Sequence, residues 1–308
     1  MKTLFDWKRF SRKSSLIALS LFCLGGACGY LKADNIVGYL KIDCQGGGES
    51  MDTIVSVPFQ RSGVIQGQIS DATVVAGQVT LEFPSVVAEA DDFTDAPHFV
   101  LFKGGVAEGR MFPITVNTTT DVVIDTGSET LTGVATGDIV QVVANWTLDS
   151  LLPPATQTTV HESTGVLPNQ RGTEVLLFDT TSGGIQLSPD RVFFLTSGGW
   201  KQAAEGYPDA GDTVIDPGAA IVIRHQAGAT STEFLTFAVV EQGSVAKMLR
   251  SNVDGPQDNT LSLLRPVPTP ISQIDLEGVF EISASNAAVD RKDEFFVFGT
   301  TSGAINTF

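Results

Sequence analysis

The chain has 308 residues and a formal charge of −16, and the stretch before residue 34 holds six of its 19 basic side chains but one of its 35 acidic ones. Without residues 1–33, 275 residues remain with 13 basic and 34 acidic groups, a charge of −21. That field repels phosphate backbones and argues against nucleic-acid partners, while suiting solubility, cation binding or a salty medium equally.

In chain order the first element is a leader. Lys2, Lys8, Arg9, Arg12 and Lys13 precede the apolar run LIALSLFCLGGACGYL (16–31), and Lys32 and Ala33 follow. A basic start, an apolar stretch of signal length and a small residue at its end predict a signal peptide over 1–33, and so export to the extracellular space, outer surface or periplasm. The run is short for a membrane span and no second one follows, so no transmembrane span is expected after cleavage. Gly25-Gly26-Ala27-Cys28 offers lipid attachment at Cys28 as an alternative, although Leu24 sits one place too far upstream for that pattern. Of three cysteines only Cys44 lies beyond the leader, so no internal disulfide is available and the fold must rest on its core.

After Ala33 the text is strand-like. The runs IVGYLKI (36–42), TIVSVPF (53–59), HFVLF (98–102), DIVQVVA (138–144), EVLLF (174–178), RVFFL (191–195), AAIVIR (219–224), EFLTFAVV (233–240) and EFFVF (294–298) are rich in Val, Ile and Phe. Gly, Asp, Asn, Pro and Thr clusters separate them. Apolar residues at successive positions predict strands buried on both faces within packed sheets. Only 243–251 and 283–292 have the composition for a turn or two of helix. The predicted class is all-β, β-sandwich-like and internally duplicated, with few or no helices apart from the leader.

One phrase occurs twice. TEVLLFDTTSGGI (173–185) returns 120 positions later as DEFFVFGTTSGAI (293–305), with seven identities at one fixed offset. A looser echo of the first copy is VLFKGGVAEGR (100–110), and Gly137-Asp138 and Gly211-Asp212 follow Phe102 and Phe178 at similar distances. These matches predict a repeated unit: an apolar strand ending in Phe, a glycine-rich turn, paired strands, a Gly-Asp turn and a further apolar strand. The domain reading is a first β unit over 34–165 and a second over 166–308, with the start of a further repeat. The second copy stops where the first goes on into RVFFL…GGW…IVIR, which predicts truncation of the final unit at the C-terminus and missing partners for the strand at 294–298.

Taken in order, NIVGY, SVPF (56–59), VLF…EGR..PI (100–114), WTLDSLLP (146–153), TEVLLF (173–178), GGW (198–200), PG…IVIRH (217–225), QDNTLSL.RP (257–266) and DEFFVF (293–298) span nearly the whole exported chain. Together they resemble a family of uncharacterised exported proteins of verrucomicrobial-type bacteria. The resemblance implies members that continue past residue 308; it carries no activity, ligand or catalytic residue.

Chemistry-bearing motifs are sparse. His98, His161 and His225 have no second His or Cys at metal-ligand spacing. Neither a Gly-x-Ser-x-Gly elbow nor a phosphate-cradling loop is present. Asn252, Asp254 and Asp258 bring oxygen atoms together in a turn and are the candidate calcium ligands, although Leu263 stands where an EF-hand loop needs its glutamate. Asp209, Asp212 and Asp216 form a second acidic turn. Trp146 reads as a core plug. Trp200 follows a Ser-Gly-Gly turn, with Tyr207 seven residues on; packing is the favoured reading for Trp200, and the pair is also the candidate binding surface, since an aromatic at a turn can stack on a sugar or a partner. The expected function is that of an exported, non-catalytic β-protein in a cell-surface or extracellular structural, adhesive or binding role, with a glycan or surface protein as partner. A secreted polysaccharide-directed hydrolase and a calcium-stabilised surface-layer subunit are the alternatives.

Overall fold

The computed structural model describes residues 36–178, 184–185, 189–252, 254–267, 269–276, 278–285 and 287–296, all within one compact unit, Leu31–Phe308. The expected leader with Cys28, and residues 297–305 of the second repeated phrase, lie outside the described residues. The fold is all-β and sandwich-like, and every strand pairing in it is antiparallel.

Strands β1 (Val37–Cys44) and β2 (Met51–Ser56) open the chain. The next seven build one sheet: β3 (Gly63–Gln68), β4 (Asp71–Val75), β5 (Gln78–Glu82), β6 (His98–Phe102), β7 (Met111–Asn117), β8 (Asp121–Asp125) and β9 (Ile139–Ala144). Their order is β3-β9-β6-β7-β8-β5-β4. Its two end strands, β3 and β4, are separated in sequence only by Ile69 and Ser70. Ile69 exchanges backbone hydrogen bonds with Gly137 and Asp138 on the β9 side, while the Ser70 N–H donates to the Glu82 carbonyl on the β5 side. The sheet therefore curls until its edges meet at this corner, leaving little free edge to invite pairing with another chain. Alternate side chains fill the interior: Val79 and Leu81, Val100 and Phe102, Val122 and Ile124, Val140 and Val142. Phe93, on the one-turn helix α1 (Asp92–Asp95), plugs it. Because Phe99, Leu101 and Val143 are buried on the outside of the wall, HFVLF is buried at all five positions.

The chain leaves this barrel through β10 (Trp146–Thr147) and the short helix α2 (Leu148–Leu151), where the Thr147 side chain accepts the Ser150 N–H and the Ser150 hydroxyl accepts the Thr147 N–H, a reciprocal cap. Then come β11 (Thr173–Phe178), β12 (Pro189–Thr196), β13 (Gly199–Gln202), β14 (Val214–Ile215), β15 (Ala220–His225) and β16 (Thr232–Val239). A five-stranded sheet runs β13-β12-β11-β15-β2, and β1 pairs with β16 in a separate two-stranded ribbon. Val175, Leu177, Phe193, Ile221 and Ile223 on one face of the sheet pack against α2 and against Cys44, Ile42 and Phe234 of the ribbon. Strand pairing runs across residue 165, since β2 lies beside β15 and β1 beside β16.

The two sheets share a strand order. In one it is β3-β9-β6-β7-β8, in the other β2-β15-β11-β12-β13, and in each the first apolar strand lies between the strand that follows it and a later apolar strand, β9 directly after its Gly-Asp turn and β15 one short strand, β14, beyond its own.

Eight of the nine predicted runs are strands. The ninth differs: Asp293–Phe296, the described part of the second phrase, is not extended as a strand, whereas β11 is a strand with β12 and β15 on its two sides. Residues 243–251 form no helix, and the described residues of 283–292 hold a 3-10 turn at Ala288–Asp290 and no longer helix. In the first of these segments backbone bonding goes to distant chain: the Ala246 N–H donates to the Gly109 carbonyl, closing one end of the segment on the barrel rather than on its own preceding turn.

Candidate functional site

The structure takes Trp200 out of the set of stacking residues. It sits on β13 opposite Leu195, only 2% exposed, and its indole N–H donates to the Leu152 carbonyl at 3.2 Å. An indole enclosed by the core of the five-stranded sheet offers no face to a ligand. Tyr207 lies elsewhere. It is half-buried with φ +48° and meets Phe194 edge-on, with centroids 6.3 Å apart. Phe194 points to the sheet face opposite that of Phe193, so Trp200 and Tyr207 do not converge. Trp146 is half-buried against the same core and donates its indole N–H to the Phe59 carbonyl.

In the candidate calcium turn one side-chain oxygen is already engaged and the backbone is tied to distant chain. The side-chain oxygen of Asn252 accepts the Asp254 N–H at 3.1 Å, and the Asp258 N–H donates to the Gly184 carbonyl at 2.9 Å. Among the described residues no three His, Cys, Asp or Glu side chains converge on a metal-sized space.

Charges meet instead on the far face of the five-stranded sheet. Asp52, Arg224 and Glu174 stand directly opposite one another on β2, β15 and β11. Arg224 grips both oxygens of Asp52 at 2.7 and 2.8 Å, a bond that raises the guanidinium's pKa further. Glu174 accepts Arg171 at 2.8 Å and Gln226 at 3.1 Å, and Arg171 lies 4.6 Å over the Phe194 ring. Two carboxylates two strands apart are about 10 Å from each other. A glycosidase pair needs one carboxyl free to donate a proton. Here both are engaged by arginines, and the row works as a clasp across the sheet.

The β1–β16 ribbon is different, because one of its faces is apolar and open. Tyr39 (61% exposed) lies directly opposite Phe237 (68%), and Ile36, Val37 and Leu235 extend the same surface. An ion pair between Lys41 and Glu233 bounds it at one end. Two aromatic rings of roughly 150–250 Å² each, exposed by about two-thirds, create a patch of a few hundred Å², the size range in which monomer surface patches are often functional. The ribbon's other face is anchored: a Cβ on Gly38 would lie 2.5 Å from the Phe59 ring, so only glycine lets the ribbon settle there. Sequence reading missed Tyr39 and Phe237 because IVGYLKI and EFLTFAVV are apolar on both faces, a pattern indistinguishable from two-sided burial. The readable signal was that Tyr39 shares its strand face with Lys41 and Asp43, which a water-exposed face would carry.

Cys44, at the end of β1, is fully buried, and burial pushes its thiol up to about 11. In a Cys23→Ser, Cys28→Ser chain, a disulfide reagent at pH 8 is expected to label Cys44 only at the rate of unfolding, because the thiolate is the reactive form. Immediate labelling of the folded protein would contradict this placement.

No helix among the described residues is long and apolar enough to cross a membrane. No protein-family model matches the chain, and no curated protein or solved structure matches it either.

Proposed function

We propose that this chain is an exported, non-catalytic binding protein built from two related β units, and that the outer face of the β1–β16 ribbon is its contact surface. The observation that carries this reading is the solvent-facing Tyr39–Phe237 pair with its aliphatic border. Single apolar residues on a surface are ordinary, whereas a contiguous aromatic face on a water-exposed ribbon is costly to keep without a partner. The basic and apolar start of the sequence supports the exported part of this reading, and the shared strand order of the two sheets supports a duplicated architecture. The excess of acidic groups disfavours polyanions, so the partner class that fits is a neutral glycan, held by contact with the rings and by hydrogen bonds to Lys41, Asp43 and Glu233.

The test is affinity electrophoresis against a panel of neutral polysaccharides. At least one is expected to retard the wild-type chain, and Tyr39→Ser or Phe237→Ser to weaken that retardation about thirtyfold. Both side chains are exposed, so the unfolding free energy from urea titration should stay within about 0.5 kcal/mol of wild type. Absence of retardation throughout the panel, or retardation of both variants equal to that of the wild-type chain, would remove this reading.

A further inference from the structure

A buried histidine ties together four pieces of chain at one end of the five-stranded sheet. His225, the last residue of β15, is 0% exposed. Its Nδ1 lies 2.8 Å from the Thr173 hydroxyl at the start of β11, and its Nε2 lies 2.8 Å from the Thr232 hydroxyl at the start of β16. The remaining bonds determine which atom holds each proton. The Thr232 hydroxyl donates its only proton to the Thr159 carbonyl at 2.7 Å, so toward the imidazole it can only accept, and Nε2 carries hydrogen. Nδ1 is then the bare nitrogen and accepts the Thr173 O–H, while the Thr173 oxygen also accepts the His161 backbone N–H at 3.0 Å. One directed chain runs from His161 through Thr173, His225 and Thr232 to Thr159. The Thr159 hydroxyl adds a bond to the Glu233 carbonyl at 2.9 Å.

A second imidazole stands beside the first. The His161 ring is 5.0 Å from that of His225, centroid to centroid, and its Nε2 donates to the Thr230 carbonyl at 2.8 Å. Cys44 shares the neighbourhood, standing directly opposite Thr232 in the ribbon. The other charged groups on these elements are turned away: Asp52, Arg224 and Glu174 are joined on the opposite face of the sheet, Glu233 pairs with Lys41 on the ribbon's outer face, and Glu162 is exposed. No carboxylate is therefore placed to stabilise an imidazolium at position 225.

We propose that this cluster is an acid-operated latch: protonation of His225 at Nδ1 breaks its bond with Thr173 and frees the 157–163 segment and the start of β16 from the sheet. A proton on Nδ1 turns an acceptor into a donor aimed at a hydroxyl that is itself donating. The Thr173 hydroxyl would have to rotate, and its proton then has no acceptor within the chain of bonds described. The new charge sits in a dry site next to another histidine. Burial, and then the neighbouring His161, push the ring from 6.5 down to about 4. The sign follows. The closed form binds fewer protons than the open one, so the latch holds above pH 6.5 and weakens as pH falls toward 4.

The test is hydrogen exchange of the intact chain from pH 7 to pH 4, corrected for intrinsic rates and read on peptides covering 157–163 and 230–236. Protection there is expected to fall about tenfold per pH unit below 6.5 while the barrel strands β6 and β9 stay protected, and to recover on neutralisation. In His225→Gln the pH dependence of these two segments should vanish. Parallel loss of protection in wild type and variant overturns the proposal, as does simultaneous loss in the barrel. A ring titration by NMR on the wild-type chain keeps the question decidable if the variant does not fold: a His225 midpoint near 6.5 also overturns it, and a midpoint near 4 supports it.

Discussion

Replacing Trp200 with alanine is expected to lower the unfolding free energy by about 3–5 kcal/mol, the range for a large aromatic removed from a packed core. Total stabilities of about 5–15 kcal/mol make that a large share. The indole is the largest of the fully buried side chains and lies among Phe193, Leu195, Leu152 and Ala210, elements from both sides of the sheet core. Neighbours held in a sheet and at the end of α2 relax only partly, so a cavity remains. Trp200→Phe separates packing from polar bonding. It keeps most of the volume but leaves the Leu152 carbonyl without its donor, a loss of about 1–3 kcal/mol. Urea midpoints at unchanged m-value measure both. A midpoint for Trp200→Ala within error of wild type would place the indole outside the core.

The second large effect is expected at the seam between the barrel and the ribbon. Glu241, just past β16, is 4% exposed in its side chain, and its carboxylate receives Lys103, which follows β6. It also accepts the Gln60 amide at 2.6 Å and the Gly243 N–H at 2.6 Å. Lys103→Met should cost about 3 kcal/mol, because a buried carboxylate loses its counter-charge, and not because the pair itself is strongly stabilising. Lys103→Met combined with Glu241→Gln should recover most of that loss. The charge is then gone, and the Gln60 side-chain oxygen, which has no hydrogen-bond partner, can accept the new amide if Gln60 turns over. If the double variant is as unstable as Lys103→Met alone, the cost lies in lysine packing and not in the orphaned charge.

Much of the fold was legible because β-branched and aromatic runs punctuated by Gly, Asp and Pro have few other solutions. HFVLF is β6 residue for residue, and its five consecutive apolar or aromatic positions anticipated burial on both faces. Helix formation at 243–251 was misjudged because composition cannot reveal that the segment's backbone bonds go to Gly109. The site was less legible. Trp200 at a Gly-Gly turn looks the same in sequence whether its ring closes a core or faces water; the pairing of β13 with β12 turns it inward. Tyr39 and Phe237 are 198 positions apart, and only the antiparallel register of β1 with β16 makes them neighbours.

By itself the sequence determined the all-β class, most strand positions and the strongly acidic charge, since each depends on local pattern or on counting. It also carried the expectation of a leader, which rests on the order of charged and apolar residues near the start. Tertiary structure alone decided that the strand at 63–75 bends at Ile69-Ser70 to bring the two edges of the barrel sheet together. It alone decided which apolar faces are covered, and that His225 lies between Thr173 and Thr232. The physical reason is common to all three. Backbone propensity and side-chain alternation act over a few residues, whereas closure, coverage and a buried hydrogen-bond chain depend on which distant segments meet.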